Sequence, residues 1–323
     1  MELVSSNCLS ANKIKILFNL TNAIDESTNK PAYGKSKIMV NVFFEPSTRT
    51  SLSFESAMHR MGGKIITFNK DVSSMKKGES FEDTIRTLST YGDILVLRHP
   101  EKGMVEKAAK IASIPVINAG DGNGDHPTQG LLDLYTIAMK HKTNSHTVKN
   151  ILFIGDIINS RTVHSLITMI RTMNTANLID PDTIICPSFD IHILPYTGCE
   201  SIKSDDFTMH TTESIDLSQM DVIYCTRLQR ERITDVEKLN MRTNIMIDNH
   251  FLQKCKKDCM IMHPLPRTEE INPEIDGDDR VYYFKQMENG VKIRMAVLNF
   301  YLNDGNIVPR AYTVNDNFLH PHS

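Results

Sequence analysis

The sequence predicts an α/β fold of two doubly wound domains, each with a central parallel sheet flanked by helices. Three observations predict it. Short apolar, strand-like runs alternate with helical patterns along most of the chain, which is how parallel sheets are assembled. At 323 residues the chain exceeds the usual size of a single hydrophobic core, so two domains are expected. The polar stretch HKTNSHTVKN at 141–150 interrupts the alternation and marks the boundary. The first domain is then 1–140, the second 141–288, a helix at about 289–305 returns to the first, and 306–323 form a tail.

Taken in order, KIMVNVFF (37–44) reads as a strand, followed by a helix from Thr50 to Met61. Phe54, Met58 and Met61 share one face of that helix, and Gly62-Gly63 ends it. Lys64 to Phe68 is a second strand. A helix from Ser80 to Tyr91 places Phe81, Ile85 and Leu88 on its apolar face, with Ser80 and Asp83 near its start. Strands at Asp93–Leu97 and Pro115–Asn118 bracket a helix near Val105–Ala112, and a long helix runs from Pro127 to about Lys142. The second half restarts with a buried strand, Ile151–Ile154, then a helix at Thr162–Met173. Strands at Thr183–Cys186, Asp221–Cys225 and Cys259–Met262 follow, and an amphipathic helix at Val291–Leu302 closes the pattern.

Composition narrows the function. With 40% apolar and 23% charged residues and a net charge of −3, the chain has neither the basic stripe of a nucleic-acid binder nor a membrane-surface face. No apolar run approaches the roughly 18 residues that cross a bilayer. The amino terminus lacks the basic and apolar regions of a secretory signal, so a cytoplasmic protein is expected. Six cysteines, at 8, 186, 199, 225, 255 and 259, are scattered as reduced thiols are. Cys255 and Cys259 lack a second half at zinc spacing, so no metal is expected.

The chemistry-bearing residues cluster where strands give way to helices. FEPSTRTS (44–51) follows a strand and opens a helix, where free N–H groups and the positive end of the helix dipole converge. Ser47, Thr48, Arg49 and Thr50 there suit a phosphate cradle, or equally an N-cap with polar surface residues. DVSSMKKGES (71–80), holding Ser73 and Lys77, reads by itself as a solvated loop. Arg98 ends a strand, where open α/β sheets bind ligands. The glycine-rich run at 120–126 leads into a helix that carries His126 and Gln129 on one turn. Gly155-Asp156 lacks the remaining glycines of a dinucleotide turn, which argues against NAD. Arg161 and Thr162 instead begin a helix, well placed for a carboxylate. Arg227 and Gln229 directly follow a strand, and HPLPR (263–267) is a rigid loop with Leu265-Pro266 a candidate cis bond.

The strings FEPSTRTSLSFESAMHRMGG, KKGES, RHP, NAGDGNGDHPTQ, RTVHSL, TRLQRER, HPLPR and RMA occur in register from about Ile38 to Leu302. Together they resemble the aspartate/ornithine carbamoyltransferase family. KKGES, TRLQ and HPLPR are similar to the aspartate branch, whereas the ornithine branch resembles an HCLP pattern at the last site.

That resemblance implies a transfer of the carbamoyl group of carbamoyl phosphate to L-aspartate, an early step of de novo pyrimidine biosynthesis. It implies two α/β domains, the first binding carbamoyl phosphate and the second aspartate. Ser47, Thr48, Arg49, Thr50 and Arg98 are then expected to bind the phosphate. Ser73 and Lys77 would come from a neighbouring subunit of a homotrimer. Thr50, Arg98 and His126 would polarise the carbonyl, and Gln129 with the Pro264 and Leu265 carbonyls would hold the NH2. Arg161, with Thr162, would bind the α-carboxylate of aspartate, and Arg227, Gln229 and Lys77 the β-carboxylate. The chemistry requires no cofactor. The alternatives are a carbamoyltransferase for ornithine or a related amino acid, and a catalytically silent assembly module. The sequence leaves open whether a separate regulatory chain binds.

Overall fold

The computed structural model describes residues 2–26, 34–144, 148–176, 189–196, 207–230 and 245–303. It contains two separate parallel sheets. In the first half the order is α1 (Ala11–Glu26), β1 (Ile38–Phe43), α2 (Thr48–Arg60), β2 (Lys64–Asn69), α3 (Phe81–Ser89), β3 (Ile94–His99), α4 (Met104–Ile111), β4 (Val116–Asp121) and α5 (Pro127–Asn144). The second half carries β5 (Asn150–Gly155), α6 (Arg161–Ala176), β6 (Asp190–Pro195), β7 (Phe207–Met209), β8 (Val222–Thr226), α7 (Asn249–Gln253), β9 (Met260–Met262) and α8 (Tyr283–Leu302).

The first sheet has strand order β2-β1-β3-β4 and the second β7-β6-β5-β8-β9, every pairing parallel. The central strands β1 and β5 are apolar runs because helices cover both faces, so almost every side chain is buried. β2 lies at an edge and exposes most of its residues. Phe54 and Met58 of α2 and Met61 at its C-cap are fully buried, as the helical period predicts. Gly62 then turns the chain out of the helix with φ 77°.

The helices at the two ends of the chain tie the fold together. α8 is buried on nearly every face and packs on α1, α2 and α5. It is therefore a core helix rather than the amphipathic one expected, and it begins at Tyr283, well before Val291. α1 was not anticipated, although Ile14, Leu17, Phe18, Thr21 and Ile24 repeat at helical spacing and are all buried. The short helix α7 and strands β6 and β7 were also missed. The strand expected at Thr183–Cys186 and the tail at 306–323 lie outside the described residues. No described helix is long and apolar enough to cross a membrane.

Candidate active site

In a doubly wound sheet the crevice lies where strand order reverses, beyond the carboxyl ends of the two strands that diverge there. In the first sheet those strands are β1 and β3, and in the second β5 and β8. The polar motifs follow these four strands. Residues 44–51 leave β1, 98–100 end β3, 155–161 leave β5 and 226–229 leave β8. The two crevices face one another across a single cavity of about 680 Å³. Among the described residues lining it are five arginines, at 49, 98, 161, 227 and 294, and one carboxylate, Glu45.

The first wall is built on α2. Ser47 is extended (φ −157°, ψ 103°) and makes no side-chain cap bond, so its hydroxyl and the first N–H groups of α2 are available to an anion. The helix starts at Thr48, two residues before the predicted start, which brings Thr48 and Arg49 onto the positive end of the helix dipole. Arg49 Nη2 donates to the Leu265 carbonyl (3.0 Å), linking this wall to the loop after β9. Burial, reinforced by Arg227, lowers the Arg49 pKa.

Glu45 bridges the halves. Arg98 Nε lies 2.6 Å from its Oε1, and Arg161 Nη2 donates to the same oxygen at 3.3 Å. Arg161 Nη1 donates to the Gly122 carbonyl at 2.7 Å. Gly120, at φ 125°, makes room for this side chain: a Cβ there would stand 3.1 Å from the Arg161 guanidinium carbon. Burial, with Arg98 close by, brings the Arg161 pKa down to about 10, so it stays cationic at neutral pH. On the second wall, Asp156 is fully buried and accepts from the Asn159 and Gln229 backbone N–H groups (3.2 and 3.0 Å). It thereby locks the turn after β5 to the turn after β8.

At the cavity floor, Thr50 Oγ1 lies 3.3 Å from His126 Nε2. Burial and then the cations Arg161, Arg98 and Arg294 hold the His126 pKa well below the ordinary imidazole value. A neutral imidazole is therefore presented, a hydrogen-bond donor without a competing charge. Gln129 donates to Asp133 Oδ1 at 2.9 Å. The loop after β9 has a cis Leu265-Pro266 bond, and Leu265 has φ 55°. Its shape is held by the Leu265 N–H donating to His263 Nδ1 (2.8 Å), while His263 Nε2 lies 2.9 Å from Glu270. Against the penalty of burial, His263 and Thr268 hold the Glu270 carboxyl down to about 2.

The model of the aspartate/ornithine carbamoyltransferase carbamoyl-P binding domain matches residues 2–139, and that of the Asp/Orn binding domain matches 148–301. The chain belongs to the aspartate/ornithine carbamoyltransferase family. The aspartate carbamoyltransferase catalytic subunit of Thermoplasma acidophilum is 41% identical over 311 residues, covering 94% of this chain and 98% of that one. Its counterpart in Thermococcus onnurineus is 40% identical over 309 residues, covering 93% and 96%. Among solved structures, aspartate transcarbamoylase from Trypanosoma cruzi in complex with carbamoyl aspartate and phosphate superposes with a TM-score of 0.79. That pair is 34% identical, with 92% of this chain and 95% of the other covered.

Of the residues singled out from the sequence, Ser47, Thr48, Arg49, Thr50, Arg98, His126, Gln129, Arg161, Thr162, Arg227, Gln229, Pro264 and Leu265 all line this cavity. Ser73 and Lys77 do not. Ser73 lies between two 3-10 turns after β2, and Lys77, exposed, ends the second of them. Several contributors were missed. Glu45 falls within FEPSTRTS, two residues past the end of β1, where a carboxylate beside an anion cradle carries no local signal. Arg294 falls within RMA, where nothing local sets it apart; it is buried against the Phe54 ring, and burial brings its pKa down to about 10. Asp133 lies one helical turn beyond Gln129, a spacing that signals contact.

Proposed function

We propose that this chain transfers the carbamoyl group of carbamoyl phosphate to the amine of L-aspartate, giving N-carbamoyl-L-aspartate and phosphate. The observation that carries the reading is the single cavity in which the Ser47–Thr50 turn and Arg98 face Arg161, Arg227 and Gln229. One wall matches a phosphate and the other a pair of carboxylates. The chain's relatives are named for the same reaction.

Ser47, Thr48, Arg49 and Thr50 grip the phosphate with hydroxyls, guanidinium and helix-terminal N–H groups, joined by Arg98. Thr50, Arg98 and the neutral His126 converge on the carbonyl and stabilise the oxyanion of the tetrahedral intermediate. One such donor contributes roughly 3 kcal/mol. Gln129 and the carbonyls of Pro264 and Leu265 take the carbamoyl NH2. Arg161, with Thr162, pairs with the α-carboxylate of aspartate, and Arg227 and Gln229 with its β-carboxylate, arginine forks being suited to bidentate pairing. The amine attacks, phosphate leaves, and the departing phosphate accepts the amine proton. The displacement involves no redox step and calls for no cofactor. A cationic side chain in place of the β-carboxylate would meet Arg227, which disfavours ornithine.

A colorimetric assay for carbamoyl aspartate, run in parallel with ornithine as acceptor, tests the assignment. Product from aspartate alone is expected; product from ornithine alone would overturn it.

In this reading 1–140 and the carboxyl-terminal helix bind carbamoyl phosphate, 141–288 bind aspartate, and the reaction is an early step of pyrimidine biosynthesis in the cytoplasm. Ser73 and Lys77 complete the site of the adjacent subunit in a homotrimer, Lys77 reaching both substrates. Their separation from the chain's own cavity supports this arrangement, since a closed ring gives each subunit one loop to lend and one site to fill. Mixed trimers reassembled from Lys77→Ala and Arg49→Ala should regain activity that neither variant shows alone. Confirmed mixed trimers without recovery would end the shared-site reading.

A further inference from the structure

Directly behind the cavity lies a buried carboxylate that does not itself line it. Asp133 is fully buried on α5, one turn after Gln129, and is not among the lining residues. It accepts three hydrogen bonds from three different elements. Gln129 Nε2 of α5 (2.9 Å) and Gln286 Nε2 of α8 (2.7 Å) both donate to Oδ1, and the Tyr224 hydroxyl of β8 donates to Oδ2 at 2.8 Å.

We infer that Asp133 is the positioning residue for recognition of the carbamoyl NH2, because its carboxylate dictates which way both glutamine amides face. The inference rests on the function proposed above. Both amides meet Oδ1, which only accepts whether the carboxyl is ionised or carries its proton on Oδ2, so each amide must turn its NH2 toward Asp133 and its carbonyl oxygen away. Gln129 lines the cavity, so its Oε1 is set as an acceptor for the substrate's NH2. With the opposite amide orientation, two NH2 groups would confront each other.

The second arm works through Gln286. Its Oε1, turned away from Asp133, accepts from the His263 N–H at 2.9 Å. His263 Nδ1 in turn accepts from the Leu265 N–H. The loop that presents the Pro264 and Leu265 carbonyls to the cavity therefore hangs from the same carboxylate. Every acceptor assigned to the carbamoyl nitrogen, on α5 and on the loop after β9, traces back to Asp133.

This arrangement separates positioning from general structural support, because only one half of the substrate should feel it. Acetyl phosphate replaces the carbamoyl NH2 with a methyl group and keeps the phosphate and carbonyl. A site built to bind an N–H group discriminates strongly against an analogue that lacks it. In Asp133→Asn, the side-chain amide brings a donor of its own and frees Gln129 to flip. Carbamoyl phosphate binding, measured by calorimetry and as KM, should weaken at least tenfold. Binding of acetyl phosphate and of inorganic phosphate should stay within about twofold. Tyr224→Phe, which disturbs the same buried cluster but leaves both amides oriented, should preserve the discrimination. If Asp133→Asn does not fold, Gln286→Leu carries the test, and the ratio of carbamoyl to acetyl phosphate affinity should fall there too. Equal weakening of all three anions, or an unchanged ratio in a folded variant, overturns the inference. A wild-type protein that makes no carbamoyl aspartate overturns the proposed function instead, and the binding ratios are read independently of turnover.

Discussion

Replacing Gly155 with alanine should damage the second crevice more than any change of similar size elsewhere. Gly155 ends β5 at φ 123°, and a Cβ placed there would lie 2.2 Å from the Thr226 carbonyl oxygen on β8. Holding an L side chain at that φ costs about 1–3 kcal/mol. Relieving the overlap requires β5 and β8 to separate by roughly 1 Å, and such overpacking costs a further 1–3 kcal/mol or so. The pairing of Gly155 with Thr226 is lost in the process. A destabilisation of about 3–5 kcal/mol follows, measured by urea denaturation at fixed protein concentration. Gly277→Ala is the control, since nothing lies within 4 Å of that Cβ and its φ is ordinary. It should be neutral or stabilising by up to about 1 kcal/mol. The opened strand end carries Asp156 and Arg227, so residual activity should show a raised aspartate KM before any change for carbamoyl phosphate. A Gly155→Ala protein within about 1 kcal/mol of wild type would refute the claim that this close approach shapes the crevice.

Arg227→Ala should raise the aspartate KM at least tenfold and leave carbamoyl phosphate binding nearly intact, with Arg49→Ala doing the reverse; steady-state kinetics with each substrate varied in turn checks both. Inorganic phosphate should raise the melting temperature, because it binds only the folded arrangement of cationic groups; phosphate at 100 times its Kd adds about 2.7 kcal/mol, and Arg49→Ala should abolish the shift. Burial, only partly offset by bonds from Gln286, Tyr224 and Gln129, lifts the Asp133 pKa to about 7. A raised carboxyl pKa favours the fold below the unfolded value near 4, and that contribution is lost as pH rises through about 7. Denaturation curves should therefore show wild type losing up to about 4 kcal/mol relative to Asp133→Asn between pH 4 and pH 8, with no further change above that range.

The polar groups that line the cavity were legible because they follow a rule of chain geometry: polar residues at the ends of apolar strands fall at the crevice of a wound sheet. Thr50, Arg98, Arg161 and Arg227 all obey it. What escaped was contact at a distance. Gln286 meets Asp133 across 153 positions of sequence, and no local pattern announces that pairing. Glu45 escaped for a different reason, since an acid beside a supposed anion site looks unhelpful until Arg98 and Arg161 are seen to converge on it. α8 was read too short because Tyr283–Met287 mixes aromatic and charged residues, and only its packing on α1, α2 and α5 explains why so much of it is buried. α1 shows the opposite failure, a plain helical period that was overlooked.

The two facing crevices also make the molecule modular. Each sheet delivers its own set of loops to the cavity, and in the function proposed above each set addresses a different substrate. Under the proposed assignment, the loops leaving β5 and β8 form an interchangeable cassette for the acceptor on a constant donor platform, with Arg161 reaching across to Glu45 and Gly122 of the first half. A chimera that takes 155–162 and 226–230 from a protein with a different acceptor should keep phosphate affinity while changing its amino acid. The Glu45 contact with Arg161 marks the seam that such a graft must preserve.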